Sequence, residues 1–141
     1  MDVRLLGPGD ESLLSNAMPG AFDKAVDSEF AVEFLADPRH HISVALHEGW
    51  VVGFAAAVND IHPDKPAELW VNKLAVAPVH HTTRIAGRLL DVILQAGREA
   101  GCREAWVLTD RDNAAAMRLY ASAGGEDAPI DQVMFAFNLE P

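Results

Sequence analysis

The sequence predicts one α/β (α+β) domain over residues 1–141, a mixed, mostly antiparallel twisted sheet with helices on both faces. Three observations predict it. Apolar residues recur first with the period of a strand and then with that of a helix. The resulting order is strand, two helices, three strands, helix, strand, helix, strand. Glu48-Gly49 joins two of the middle strands as a two-residue hairpin turn, which ties antiparallel neighbours. Glu68 to Val76 is nearly continuous in apolar character, which predicts a central strand buried on both faces.

Each element has its own signals. Asp2 to Leu6 is a short first strand stopped by Gly7-Pro8-Gly9. Asp10 is placed to cap a helix through Leu13, Leu14 and Ala17, and Met18-Pro19-Gly20 ends it. Ser28 is placed to cap the next helix, whose apolar face carries Phe30, Phe34 and Leu35 and which closes at Asp37-Pro38. Ile42 to Leu46 and Trp50 to Val58 form the hairpin, followed by a polar loop from Asn59 to Pro66 and the central strand. Ile85, Leu89, Val92, Ile93, Ala96 and Ala100 mark one face of a long helix ending at Gly101. Ala105 to Thr109 is a strand, Asp112 or Asp110 is placed to cap a helix over Asn113 to Ala123 stopped by Gly124-Gly125, and Gln132 to Leu139 is a final strand after a turn at Ala128-Pro129.

Composition narrows the function. Half of the residues are hydrophobic, so a packed core is expected rather than disorder. The net charge of -10 opposes nucleic acid and favours a cationic partner. No apolar run is long enough to span a bilayer, and the first residues lack a leader signature. The single Cys102 forms no internal disulfide, which suits a cytoplasmic location. The pairs His40-His41 and His80-His81 lack metal-ligand spacing, so no metal is expected.

The stretch from Leu69 to Leu90 organises the chain. It reads as a strand, a turn over Val79 to Thr83 and the start of an amphipathic helix. A helix that begins there offers unpaired N–H groups and its positive dipole end to the loop, a setting for a phosphate. Leu74-Ala75-Val76-Ala77-Pro78 followed by His81-Thr82-Thr83-Arg84-Ile85-Ala86 resembles the acyl-CoA-binding segment of the GNAT N-acetyltransferase superfamily. That segment reads Leu-Ala-Val-x-Pro, then Gln/Arg-x-x-Gly-x-Gly/Ala. Arg84 stands where the family has its first glycine. The family's other pattern, Asn-x-x-Ala-x-x-Leu-Tyr-x-x-x-Gly, is met at every fixed position by Asn113, Ala116, Leu119, Tyr120 and Gly124.

The resemblance implies the GNAT acyl-CoA N-acyltransferase fold, with acetyl-CoA as cosubstrate. It implies that the backbone of Leu74, Ala75 and Val76 holds the pantetheine arm. The pyrophosphate would then meet the segment His81, Thr82, Thr83, Arg84, Ile85, Ala86, Gly87 and Arg88, with Asn113 and Tyr120 also touching the cofactor. Tyr120 would give a proton to the leaving thiolate, a role that suits a phenol of pKa about 10. His62-Pro63-Asp64-Lys65-Pro66, the Ala77-Pro78-Val79-His80 approach and the stretch from Met134 to Pro141 look like aminoglycoside 3-N-acetyltransferases. Those enzymes place an acid where this chain has Lys73. Glu68, an even number of residues before Leu74 and Val76, is expected on their face and is the candidate base, with Asp110 a weaker one.

Two functions follow. The first is an N-acetyltransferase moving an acetyl group from acetyl-CoA to a primary amine of a small cationic substrate, such as an aminoglycoside, by direct attack in a ternary complex. Asp23, Asp27, Glu29, Glu33, Glu126 and Asp127 would supply its acidic surface. The second is a non-catalytic protein of the same fold, impaired in acyl-CoA binding by Arg84 and Lys73. Arg84 would either bind phosphate through its guanidinium or block the cradle. The apolar run Val133-Met134-Phe135-Ala136-Phe137 must be covered, and a homodimer joined through the last strand is one way.

Overall fold

The computed structural model describes residues 1–80 and 83–141. Its elements are β1 (Asp2–Leu5), α1 (Glu11–Leu14), α2 (Ser28–Ala36), β2 (His40–His47), β3 (Trp50–Asp60), β4 (Glu68–Val76), a 3-10 turn (Pro78–His80), α3 (Thr83–Glu99), β5 (Glu104–Val107) and α4 (Ala114–Ser122). The sheet runs β1-β2-β3-β4-β5; the first three pairings are antiparallel and β4 with β5 is parallel. Glu48 and Gly49 both have positive φ, as a tight hairpin turn between β2 and β3 requires.

Two cores lie on opposite faces of the sheet. Leu89, Ile93 and Ile85 of α3 pack with Leu69, Val71, Val76 and Leu119 on one face. Leu14, Ala31 and Leu35 of the short helices pack with Val44, Val51 and Phe54 on the other. Gly97 lets α3 sit close to the sheet, because a Cβ there would lie 2.6 Å from Leu69 Cδ2. The buried Ser43 Oγ donates to the Leu89 carbonyl at 2.9 Å, a bond from β2 to the middle of α3.

Several local expectations are corrected. Asp27, not Ser28, caps α2: its Oδ1 accepts from the N–H groups of Glu29 and Phe30 at 2.9 and 3.1 Å. Asp10 precedes α1, but its carboxylate accepts from Gly7 N–H instead of a helix donor, and the helix stops at Leu14. Phe30 is 72% exposed and Ala31 turns inward in its place, while Leu35 is buried and Phe34 half-buried as expected. Along β4, Trp70, Asn72 and Lys73 are exposed, so the strand is not buried on both faces. Beyond α4 the described residues form neither strand nor helix, so the expected strand over Gln132 to Leu139 is absent. Apolar alternation supplies one face, but a strand also needs a hydrogen-bonding neighbour. Among the described residues the segment has none.

Candidate functional site

The site begins where β4 and β5 part. Their parallel register runs from Glu68 opposite Glu104 to Val71 opposite Val107 and ends there, while β4 continues to Val76. Residues 73–76 therefore keep their pairing to β3 and lose it on the β5 side. The gap is a slot of about 460 Å³ walled by Asn72 to Val76, by Val107 to Thr109 and by Asn113, Ala116, Leu119 and Tyr120 of the α4 region.

A bulge gives β4 its second phase. Lys73 faces Ala56 and Val71 faces Ala57, so Asn72 is one residue more than β3 needs. Before the bulge Leu69 and Val71 look toward α3; after it Leu74 and Val76 do. Counting by twos across residues 68–76 fails at that point. Glu68 consequently lies on the face opposite Leu74 and Val76, which corrects the expected shared face. It is also held elsewhere: its Oε1 is 2.8 Å from Lys65 Nζ and 3.1 Å from His62 Nε2. The hydrogen bond from Lys65 keeps the Glu68 carboxyl below its ordinary range. Neither Glu68 nor Asp110 lines the slot.

Asp23 is the carboxylate that does, together with Lys73; its Oδ2 lies 3.7 Å from Lys73 Nζ, and both side chains are well exposed. The loop that carries Asp23 is fixed by the stack of Phe22 on Phe54, with ring centroids 4.1 Å apart. The sequence marks Asp23 only as one acid among several. Its placement depends on that long-range aromatic contact, which spacing does not reveal.

The α4 segment is built for its position. Asn113, not the expected Asp112 or Asp110, caps the helix: its side-chain oxygen accepts from Ala116 N–H at 3.1 Å. Gly124 has φ 95°, and the N–H groups of Gly124 and Gly125 return to the carbonyls of Ala121 and Tyr120, a Schellman stop. Tyr120 is half-buried in the slot, and burial pushes its phenol above the ordinary value of 10.0. At neutral pH it is a donor.

The other predicted contacts divide. Leu74, Ala75, Val76, Ala86, Asn113 and Tyr120 meet in the slot. Arg84 and Gly87 line a second cleft of about 500 Å³ between α3 and α4, with Asp91, Arg118, Leu119 and Ser122. Leu119 belongs to both cavities, so the cleft adjoins the slot. Arg118 was not marked by the sequence patterns, since it occupies one of their free positions. Ile85 is buried in the α3 core. Arg88 turns away and donates to the Met1 carbonyl at 3.0 Å. His81 and Thr82 lie outside the described residues, and Thr83 enters as the first residue of α3. Among the described residues no cluster of His, Cys, Asp and Glu could hold a metal, and no helix is long and apolar enough to cross a membrane.

A parted parallel pair beside a helix start, faced by a capped helix bearing a tyrosine, is the arrangement that the resemblance to the acyl-group transferases implies. Residues 11–124 match the sequence model of the acetyltransferase (GNAT) family, and the chain belongs to that family. Uncharacterized N-acetyltransferases of Mycobacterium bovis and Mycobacterium tuberculosis are 32% identical over 102 residues, or 72% of this chain; the match spans 63% of their length. Among solved structures, an aminoglycoside acetyltransferase from an uncultured soil metagenomic sample, in complex with sisomicin, superposes with a TM-score of 0.79 at 20% identity, covering 99% of this chain and 96% of the other. AAC(6')-Iy, in complex with a bisubstrate analogue of coenzyme A and acetylneamine, gives 0.76 at 19% identity, covering 97% of each. A ribosomal-protein-alanine N-acetyltransferase from Brucella melitensis biovar Abortus 2308 gives 0.70 at 21% identity, covering 96% and 98%. These likenesses show the fold; their different acceptors show that the fold does not choose one.

Proposed function

We propose that this chain is an N-acetyltransferase that moves the acetyl group of acetyl-CoA to a primary amine of a small cationic substrate, by direct attack in a ternary complex. The parting of β4 from β5 after Val71 and Val107 carries this reading, because it frees backbone groups of Leu74 to Val76 along a slot that Tyr120 also lines.

Acetyl-CoA would supply an activated acyl carbonyl. The chain's own residues do the rest. Backbone N–H and C=O groups of residues 74–76 are suited to an amide-bearing arm, and an N–H there would hold an acyl oxygen as charge grows on it. The Tyr120 hydroxyl would hand its proton to a departing thiolate. Arg84 and Arg118 flank the α3–α4 cleft and would take phosphate groups there. Asp23 would take the proton of an incoming ammonium, directly or through water, and its charge would draw the cation in.

An aminoglycoside is the acceptor we favour, since the chain is acidic and two aminoglycoside enzymes share its fold; such a substrate would make it a resistance enzyme. Cytoplasmic location and a second copy of the chain as partner belong to the same reading. The test is calorimetry with acetyl-CoA, followed by thiol-release assays over aminoglycosides, polyamines and peptide N-termini. Tight acetyl-CoA binding with turnover on a cationic amine is expected. Absence of acetyl-CoA binding would sink the proposal and leave a non-catalytic member of the family.

A further inference from the structure

Lys73 is the charged residue of the slot that acetyl transfer to a free amine leaves without a task. Among the described residues that line the slot, it alone carries a primary amine. The chain's other lysines, Lys24 and Lys65, do not line it, and Lys65 Nζ is held 2.8 Å from Glu68 Oε1. β4 reaches Lys73 just after its pairing with β5 has ended at Val71. Lys73 is therefore followed directly by the backbone of residues 74–76 that is free on that side.

We propose that Lys73 is itself an acceptor: the slot transfers one acetyl group to its ε-amine within the same chain, and the loss of that charge opens the mouth to a cationic amine.

The groups that the step needs stand around Lys73. Asp23 Oδ2 lies 3.7 Å from Nζ and is the base beside the amine. The loop that carries Asp23 is fixed from more than one direction. Met18 N–H donates to the Val51 carbonyl at 2.8 Å, and Phe22 stacks on Phe54. Gly20, at φ 87°, lies so near Pro78 that a Cβ would come within 2.9 Å of Pro78 Cδ. Tyr120 lines the same slot as the proton donor. The Lys73 side chain is 59% exposed, so packing does not hold its four-carbon stem in one place. A free amine must be collected from solution, whereas this one is tethered at the slot, which makes the step unimolecular once the thioester is bound.

Protons and bonds balance. Asp23 takes a proton from the Lys73 ammonium, and the neutral nitrogen forms an amide bond to the acetyl carbon as the thioester C–S bond breaks. Tyr120 gives its proton to the departing thiolate. The nitrogen sheds a further proton on becoming an amide. Of the protons it sheds, one restores Tyr120 through water and the other goes to solvent.

The product has a different mouth. Acetylation removes the lysine's charge and its ion pair. Asp23 is then left facing the entrance without a cation beside it, and its field draws an incoming ammonium that Lys73 would have repelled. The first turnover, on the chain itself, thus primes the later ones.

This inference rests on the acetyl-CoA binding proposed above, and the test separates the two. The wild-type chain is incubated with acetyl-CoA and no acceptor, then read by intact mass and peptide mapping. A gain of one acetyl group at Lys73 is expected, about tenfold or more ahead of Lys24 and Lys65, with a rate constant independent of protein concentration. Asp23→Asn and Tyr120→Phe should each slow it about a hundredfold while keeping a folded circular dichroism spectrum. Calorimetry with spermidine, without acetyl-CoA, is the second readout. The self-acetylated chain and Lys73→Gln should both bind about threefold more tightly than the unmodified chain, and the gain should fade as salt rises. Acetyl-CoA binding and turnover on a free amine with Lys73 unmodified would overturn this inference alone and leave the transferase reading standing. Labelling spread evenly over the lysines, a rate that rises with protein concentration, or acetylated Lys73 with no change in spermidine affinity would do the same. Absence of acetyl-CoA binding would take both down.

Discussion

Asp23 and Lys73 face each other across the mouth of the slot, with Oδ2 3.7 Å from Nζ. Both are highly exposed, so the pair contributes little to folding, and its effect falls on what enters. Asp23→Asn should lower kcat/KM for a cationic amine by about a hundredfold while leaving the thermal midpoint and acetyl-CoA affinity unchanged. Lys73→Ala should lower the KM of the same amine by removing a like charge. Steady-state kinetics over a range of salt would check both, since the Lys73 effect must fade as salt rises.

Tyr120→Phe keeps the ring that fills the slot and removes the proton. The expected result is a fall in kcat of about a hundredfold with little change in acetyl-CoA affinity. Binding lost in parallel with kcat would make the tyrosine a packing residue only.

Burial raises the proton affinity of both the Tyr120 phenol and the Cys102 thiol above their ordinary 10.0 and 9.0. The unfolded chain therefore loses these protons first as pH rises. Their contribution to stability is complete below pH 9.0 and is lost as pH climbs through the raised folded values. Thermal midpoints should hold to about pH 9 and fall beyond it. Cys102→Ala should blunt the earlier part of the fall and Tyr120→Phe the later part.

Arg84 and Arg118 line the α3–α4 cleft, and neither has an ion-pair partner among the described residues. Arg84→Ala or Arg118→Ala should weaken acetyl-CoA by about tenfold, the loss of one charge-assisted contact. Dephospho-coenzyme A tells which phosphate each one meets. Tighter binding after Arg84→Gly would instead identify Arg84 as an obstruction.

Gly97→Ala should destabilise the fold. The added Cβ would meet Leu69 at Cδ2, Cγ and Cβ, within 2.6, 3.2 and 3.3 Å, and Leu69 is fully buried. A rotamer change clears only the tip of that side chain. A cost of about 1–3 kcal/mol is expected, seen as a melting midpoint lower by about 4–10 °C.

Much of this was legible in local signals. The hairpin at Glu48-Gly49, the bounds of β4 and the stop of α4 follow from residues that act within a few positions of themselves. Where an element depends on something distant, the sequence misleads. Phe30 has the spacing of a core residue, yet Ala31 is the one that meets the sheet. Glu68 has the right parity, but one extra residue at Asn72 reverses it. The tail from Val133 to Leu139 has a strand's pattern and no strand beside it. The site is similar: Asn113 and Tyr120 are visible as a motif, whereas Asp23 and Arg118 become visible only when loop, strand and helix are brought together.

The supernumerary residue in β4 makes chain length itself a determinant of activity. With Asn72 removed, β4 would match β3 residue for residue, and Leu74 and Val76 would keep both their β3 partners and their place on the α3 face. What would go is the local bend that an unpaired residue puts into a strand, at the point where β4 leaves β5. A deletion of one ordinary asparagine should therefore spare the core and weaken acetyl-CoA binding in the slot, whereas replacing it with another amino acid keeps the bend.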